Sequence, residues 1–430
     1  MTAAAPEQSV LRDPAFVRYL VARTLSGAGN IITLIVLPIL VYRISGSASL
    51  TALVAACEAA PYFVFGLVAG ALTDRWNRRT VMVVADVLGA GLVATLPLAH
   101  WLGEVTVTHV LVVAFLGPTL GVFFDGAVFG AIPTLVGRGR IAEANSIAWG
   151  AQSLNEILLP SAVGLTLVLL APADLLVLDA LTFAASAALV ASITRPMHDA
   201  TREHPPLTTT VLLKDIREGL AFLVSHPGVR TMTIVGTLQC LAGGGFVALM
   251  VVWIDRSLDV GTEGLRFGLV YGAWAVGGLL AASALPRLLR RSSPERIALV
   301  ALPFSAAAGL VVPLVPVWWA AALALAVWSV AYTVIVINAV SYRQVVTPEP
   351  LLGRVNTAGR MLSWGLGWTG GAVLAGVLVG ALGTVATMEV LASFGVVAVL
   401  VAWTSPLRRA VLTSSGEESG DRSTTPAVDP

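Results

Sequence analysis

Four of the carboxylic acids that stand inside long apolar runs of this sequence are candidates for chemistry, because an ionisable side chain is energetically unfavourable there. Glu156 lies about twelve residues and Glu58 about ten residues into its run, and the rise of a helix places both near the middle of a membrane. Asp125 and Asp179 lie nearer the ends of their runs. Acids at such depth usually carry function. A desolvated carboxyl favours its neutral form and ionises when water reaches it. The chemistry predicted is reversible proton binding, with Glu156 ranked first and Glu58 second; hydrogen bonding for packing alone is the alternative.

The rest of the sequence offers no catalytic or cofactor-binding pattern. The five histidines are scattered, and Cys57 and Cys240 lie in apolar runs without metal-ligating neighbours. No Lys-Ser or Lys-Thr follows the glycine pairs, so a phosphate-binding loop is not expected. The net charge of +1 gives no field that recruits nucleic acid. We therefore expect neither an enzyme nor a nucleic-acid partner, and no cofactor other than a proton gradient.

Composition identifies the elements that must position these acids. Of the 430 residues, 57% are hydrophobic and 12% charged, and the mean hydropathy is +0.85, against about 25% charged residues in soluble domains. A membrane helix needs about 20 mostly apolar residues. Twelve such runs predict an all-α integral membrane protein: 20–42, 49–73, 81–100, 106–128, 144–170, 174–193, 231–253, 265–285, 297–314, 318–340, 356–381 and 385–404.

Arginine placement predicts the orientation. If the N-terminus is cytoplasmic, most basic residues fall on the cytoplasmic side, and only Arg43, Arg256 and Arg266 fall outside. The positive-inside rule therefore places both termini in the cytoplasm of a cell-membrane protein.

The chain divides into two bundles. We expect a six-helix bundle over 1–193, a cytoplasmic linker over 194–230, a second six-helix bundle over 231–404, and a disordered cytoplasmic tail over 405–430. Within the linker, apolar residues recur at helical spacing opposite a charged face, which favours an amphipathic helix on the membrane surface; a plain extension of the seventh span is the alternative. The apolar positions are Leu212, Leu213, Ile216, Leu220 and Leu223.

The two halves also repeat weakly. Arg75, Arg78 and Arg79 after the second span return at a spacing of 212 residues as Arg287, Arg290 and Arg291, whereas Pro286 replaces Asp74. Six spans per half give both halves the same orientation. This arrangement is a parallel repeat, in which two bundles can rock around a central site.

The segment 70–79 resembles the G-x-x-x-D-R-x-G-R-R signature of the major facilitator superfamily, with Asn77 in place of the second glycine. Other segments are similar to a bacterial branch of drug, macrolide and enterobactin exporters. The resemblance implies twelve helices in two six-helix bundles and alternating access. It also implies a conformational latch in which Asp74 meets the start of the eleventh span. The latch residues are Gly70, Asp74, Arg75, Arg78 and Arg79.

The resemblance further implies that the first, fourth, seventh and tenth spans line the substrate cavity. An aromatic and amide lining suits a bulky, mostly apolar or cationic organic molecule. The candidates are Asn30, Thr33, Gln239, Trp328, Tyr332 and Asn338. Span five matches the antiporter pattern G-x-x-x-G-P-x-x-G-G only at Pro160 and Gly164.

The sequence thus predicts a monomeric secondary transporter that expels a drug, an antibiotic or another secondary metabolite across the lipid bilayer, driven by protons. A siderophore or lipid exporter, a metabolite importer and a non-transporting scaffold or sensor are the alternatives. The arginine loop and the mid-depth acids argue against the scaffold, since packing alone does not require them.

Overall fold

The computed structural model describes residues 9–73, 75–197 and 209–408, and the regular structure in these ranges is helical. The first half contains α1 (Pro14–Ser45), α2 (Ala48–Thr73), α3 (Arg78–Trp101), α4 (Val107–Val136), α5 (Ile141–Thr166) and α6 (Pro172–Ala191). The linker contains α7 (Thr209–Ser225). The second half contains α8 (Pro227–Arg256), α9 (Gly264–Leu289), α10 (Pro294–Val311), α11 (Trp318–Val346), α12 (Leu352–Leu382) and α13 (Thr384–Thr404).

Within these ranges, eleven helices are long and apolar enough to cross a membrane. The exception is α5, which has 26 residues but carries several polar side chains, among them Gln152, Asn155 and Glu156. It packs between α1 of its own half and α9 of the other half. The predicted all-α membrane fold is confirmed. Eleven of the twelve predicted spans are long and apolar enough to cross a membrane. That α5 is the twelfth span stays a prediction.

We call the side at which α1 begins and α13 ends the proximal side, and the side at which α1 ends the distal side. Asp13 caps α1 proximally by accepting from the Ala15 N–H, and Arg195 beyond α6 bonds the same carboxylate at 2.5 Å. Burial acts to raise the pKa of Asp13, but the Arg195 guanidinium and the Ala15 N–H outweigh it, so the pKa is lowered. Distally, α1 ends at Gly46, whose φ of 63° suits glycine.

Each half has its own packing, and the halves meet along defined helices. In the first half α6 packs on α1 and α3, and in the second α9 packs on α11 and α8 on α13. Across the halves α2 packs on α12 and α8, and α5 packs on α9. On the distal side one buried apolar cluster contains residues of both halves, such as Val41 of α1 and Trp253 of α8. The distal interface is therefore a continuous core.

Helix α12 is irregular in its middle. Leu352–Arg360 is α-helical, Met361–Trp368 is π-helical, and Thr369–Leu382 is α-helical again. Two glycines of the π segment lie against neighbouring helices: a Cβ at Gly365 would lie 2.8 Å from the Phe63 Cα of α2, and a Cβ at Gly367 would lie 2.8 Å from the Cys240 Cβ of α8. Wide π turns are common at functional sites.

Helix α7 covers the stretch in which the sequence predicts an amphipathic helix. It packs on α12 through Gly219, where a Cβ would lie 2.7 Å from the Arg354 carbonyl oxygen, and Glu218 pairs with Arg354. Its position on a membrane surface stays a prediction. The first part of the predicted linker, 198–208, and the tail beyond Arg408 lie outside the described residues, so the predicted loop and disordered tail stay predictions.

Candidate functional site

The two halves are bonded to each other on the distal side. Tyr42 Oη of α1 donates to Asp255 at 2.7 Å and accepts from Arg256 Nε at 2.7 Å, and Arg256 also donates to the Gly46 carbonyl at 2.9 Å. Two further bonds run from Arg43 to Thr262 at 3.1 Å and Glu263 at 2.7 Å. These five hydrogen bonds join the halves on the distal side.

Glycine contacts tighten the same seam. A Cβ at Gly268 of α9 would lie 2.4 Å from the Ser161 Cα of α5, and one at Gly164 would lie 2.5 Å from the Gly264 carbonyl. The backbones of α5 and α9 therefore touch, which only small residues allow. The bundle is therefore closed distally, and the exposed polar side chains described next lie in the space between the halves toward the proximal side.

The wall of this space in the first half is charged and aromatic. Asp125 of α4 is exposed and accepts a hydrogen bond from Tyr62 of α2 at 3.2 Å. Arg23 of α1 interacts with the Asp125 charge and lies 6.0 Å over the Trp149 ring of α5. Four helices thus contribute to one polar surface.

Glu156 belongs to the same wall. Along α5, the exposed Leu154, Leu158 and Leu165 share one face, which suits lipid, whereas Glu156 and Trp149 are seven residues apart and share the other. Glu156 is exposed and accepts from Gln152 at 3.3 Å. Because Trp149 faces Arg23, the carboxylate of Glu156 also lies toward the cavity.

The second half contributes Arg360, Trp364 and Trp368 of α12. Arg360 is exposed and close enough to Asp125 for their charges to interact across the space between the halves. The rings of Trp364 and Trp368 are stacked at 5.8 Å with an interplanar angle of 1°, and Trp364 is 47% exposed. These rings form an aromatic wall next to a cation.

The remaining candidate acids are buried. Glu58 of α2 is 7% exposed, and neither carboxyl oxygen has a partner among the described residues; Tyr271 of α9 is within electrostatic reach of it. Asp179 of α6 is fully buried and accepts from Thr33 of α1, so these two candidates form one pair inside the first half. Glu58 lies at the interface of the halves, whereas Asp179 lies within one half.

The candidates for the substrate cavity separate into exposed and buried groups. Asn30 of α1 is exposed. Gln239 is 1% exposed and accepts from Ser305 at 3.3 Å, and Asn338 is fully buried and donates to the Pro294 carbonyl at 2.8 Å. Both amides therefore pack inside the second half in this conformation.

Trp328 and Tyr332 are also buried. Trp328 packs edge-on against Phe246 at 4.9 Å and Trp274 at 5.3 Å, and Tyr332 packs on Trp274 at 5.0 Å. Trp274 is only partly buried. The rings of Trp328 and Tyr332 therefore belong to a buried aromatic cluster and do not line the cavity surface in this conformation.

The arginine loop braces the first half. Arg75 donates to the Ala71 carbonyl at 2.7 Å, Arg78 donates to the Gly130 carbonyl of α4 at 2.7 Å, and Arg79 bonds the Ala191 carbonyl of α6. Ala71 and Ala191 lie in the last turns of α2 and α6, where the helix dipole stabilises a cation. A Cβ at Gly70 would meet no atom within 4 Å. Asp74 lies outside the described residues, so its latch contact stays a prediction.

Sequence reasoning did not identify several residues of the site. Tyr62 and Trp149 line the cavity, and Tyr42 and Asp255 close its distal end. Arg23 and Arg360, each a cation inside an apolar run, could be expected from the sequence to pair with the acids, and both interact with Asp125. The described residues contain no group of three or more metal-ligating side chains. The arrangement can bind an organic molecule between aromatic and charged walls and can exchange protons with carboxyl groups.

Comparisons with known proteins agree with this geometry. A family model described as a transmembrane secretion effector matches residues 4–428. The multidrug efflux pump Tap of Mycolicibacterium fortuitum is 31% identical over 392 residues, covering 89% of this chain and 94% of that protein. The enterobactin exporter EntS of Citrobacter koseri is 27% identical over 401 residues, covering 90% of each.

Solved structures share the fold. A bacterial homologue of the human lysosomal transporter Spinster, inward-facing and unoccupied, superposes with a TM-score of 0.74 at 13% identity, covering 94% of this chain and 98% of that one. A bacterial homologue of the iron transporter ferroportin, also inward-facing, gives a TM-score of 0.70 at 15% identity, covering 92% and 98%.

Proposed function

Because the chain belongs to the transmembrane secretion effector family of the major facilitator superfamily, we propose that it exports a drug or another bulky secondary metabolite in exchange for protons. The observation that carries the proposal is the arrangement of the halves. They are bonded distally and face each other proximally across a polar and aromatic cavity. Two bundles that close one end at a time around a central site perform alternating access.

The proposal includes an orientation, with the proximal side in the cytoplasm. Arginine placement supports it by the positive-inside rule, and the cavity is then open to the compartment from which an exporter takes its cargo. Cysteines introduced at Glu104 and Ser293 test it with a membrane-impermeant maleimide on whole cells. The Glu104 cysteine should react and the Ser293 cysteine should not; the opposite pattern would overturn the orientation.

We assign proton coupling to Glu156 or Glu58. Glu156 lies on the cavity wall without a cation as a hydrogen-bonded partner, and Glu58 lies buried at the interface of the halves, where a change of conformation alters its access to water. Protonation that depends on conformation links a proton to transport. Asp125, bonded to Tyr62, and Asp179 come next. The proposed cofactor is the proton gradient alone.

The coupling experiment uses everted membrane vesicles and a labelled macrolide, with and without an uncoupler. Glu156→Gln should abolish proton-driven accumulation and retain exchange of labelled for unlabelled macrolide. Glu104→Gln makes the same change at an exposed loop acid and should pump normally. If Glu156→Gln and Glu58→Gln both still accumulate macrolide against its gradient, neither residue couples protons.

Siderophore export is the second candidate. Relatives named as enterobactin exporters match most of the chain, and the exposed Arg360 places a cation beside the aromatic wall. The same everted vesicles, incubated with labelled siderophore in place of the macrolide, separate the two candidates by which compound accumulates. We also propose that the protein acts as a monomer, since both walls of the cavity come from one chain.

A further inference from the structure

Arg343 is a buried cation without a counter-ion among the residues that the structure describes. It lies near the proximal end of α11 and is 1% exposed. One terminal nitrogen donates a long hydrogen bond of 3.4 Å to Thr233 Oγ1 of α8, and Nε has no partner. A guanidinium stays charged and has five N–H donors to satisfy. An uncompensated buried charge is strongly destabilising, so Arg343 requires a partner with negative charge.

The neighbouring charge is a second cation. Arg360 of α12 repels Arg343 and is exposed on the cavity wall. Between them, Gly359 lies against the Arg343 guanidinium, where a Cβ would be 2.7 Å from Cζ. A Cβ at this position would displace the guanidinium. Water can accept hydrogen bonds from both arginines but cannot neutralise their charge.

A third group faces the same place. Ser363 of α12 is 3% exposed and its hydroxyl has no partner. Its Oγ lies beside Gly236 of α8, one turn from Thr233, whose hydroxyl accepts from Arg343. The guanidinium and the Ser363 hydroxyl therefore lie along one stretch of α8, and both can donate.

We propose that Arg343, Arg360 and Ser363 form a binding site for a monovalent anionic group in the second half. All three groups donate hydrogen bonds and two carry positive charge, which selects an anion. Because Arg343 and Ser363 are almost fully buried, the site fits a chloride ion or a carboxylate on the edge of a larger molecule. A carboxylate accepts two parallel bonds from a guanidinium. The site does not depend on which cargo is exported.

The test uses the full chain, purified and reconstituted in lipid nanodiscs without cargo. Radiolabelled chloride and radiolabelled benzoate are titrated separately, with sodium sulfate holding the ionic strength constant. We expect saturable binding of one anion per chain and a Tm that rises with anion concentration, because a ligand of the folded state stabilises it. Chloride binding identifies a free-ion site, and binding of benzoate alone identifies a site for an anionic group on an organic molecule.

Four variants assign the site. Arg343→Gln should abolish binding, and Ser363→Ala and Gly359→Ala should weaken it about tenfold or more, by loss of a donor and by displacement of the guanidinium. The latter two keep the test informative if Arg343→Gln does not fold. Gly353→Ala on the same helix is the control, since a Cβ there meets no atom within 4 Å. No saturable binding of either probe, or full affinity in Ser363→Ala and Gly359→Ala, overturns the proposal.

Discussion

Tyr42→Phe should open the distal side of the bundle more than a substitution that removes the nearby Arg43–Glu263 ion pair. The Tyr42 side chain is 9% exposed, and its hydroxyl lies between Asp255 and Arg256 at 2.7 Å from each. Phenylalanine keeps the ring and its packing and removes both bonds. The substitution therefore isolates the polar contribution to distal closure.

The magnitude follows from the partners. A hydrogen bond to a charged group contributes about 1.5–3 kcal/mol. Asp255 and Arg256 are not fully buried, so water replaces part of what they lose, and we expect a net loss of about 1–2 kcal/mol. The ratio of distally open to closed molecules should rise about 5- to 30-fold.

The Arg43–Glu263 pair provides the comparison. Its side chains are 33% and 46% exposed, and exposed ion pairs contribute only about 0.2–1 kcal/mol. Glu263→Gln should therefore shift the same ratio less than Tyr42→Phe does, although the pair is just as short at 2.7 Å. Burial and not distance decides the order of the two effects.

Double electron–electron resonance measures the ratio. Spin labels at Glu104 and Val317 report the distance between the distal loops of the two halves, in a background with Cys57 and Cys240 replaced. Thr166→Val is the control, because the Thr166 hydroxyl bonds within its own helix. A larger shift in Glu263→Gln than in Tyr42→Phe, or no shift in Tyr42→Phe, would refute the reasoning.

Three further predictions concern other contacts. Gly268→Ala should separate the halves distally and reduce transport, since its Cβ would meet α5 at 2.4 Å; Gly91→Ala, which meets no atom within 4 Å, should do neither in the same resonance and vesicle assays. Asp13→Ala should lower the thermal unfolding midpoint more than Asp13→Asn, because asparagine retains a cap that contributes about 0.5–2 kcal/mol. Because the pKa of Asp13 is lowered, its charged bond to Arg195 stabilises the folded protein fully above pH 3.8, and this stabilisation is lost as the pH falls through the lowered pKa. The unfolding midpoints of wild type and Asp13→Asn should therefore converge in acid. A difference between the two midpoints that stays constant with pH would contradict this. Asp74→Asn should slow vesicle transport and leave the amount of inserted protein unchanged, and normal turnover would argue against the latch.

The helical membrane fold could be predicted from sequence because crossing lipid imposes a simple local rule. Each span must be long, apolar and internally hydrogen-bonded, and these properties are visible in any window of the chain. The signature at 70–79 predicted the family in the same way, because it too is a short continuous stretch of sequence. The rule is weakest for α5, because its polar face turns toward the cavity and lowers its average hydropathy.

The site could not be predicted in the same way, because depth along a helix does not say which face a residue occupies. Glu156 and Asp179 stand in similar apolar runs, yet packing places Glu156 on the cavity wall and Asp179 inside one half with Thr33. Periodicity could separate the exposed leucines of α5 from Glu156 but could not say which face meets lipid. That choice depends on the neighbouring helices.

The sequence by itself determined the number and type of most elements, the acids at mid-depth and the arginine loop, since each rests on residues close together along the chain. Only the tertiary structure decided which end of the bundle is closed, because Tyr42 and Asp255 meet from opposite halves across 213 positions. It also decided that Arg343 and Ser363 face the same stretch of α8. Contacts between distant segments depend on how whole helices pack. Packing requires the surfaces of two helices to fit each other, and the sequence of one helix alone does not specify that fit.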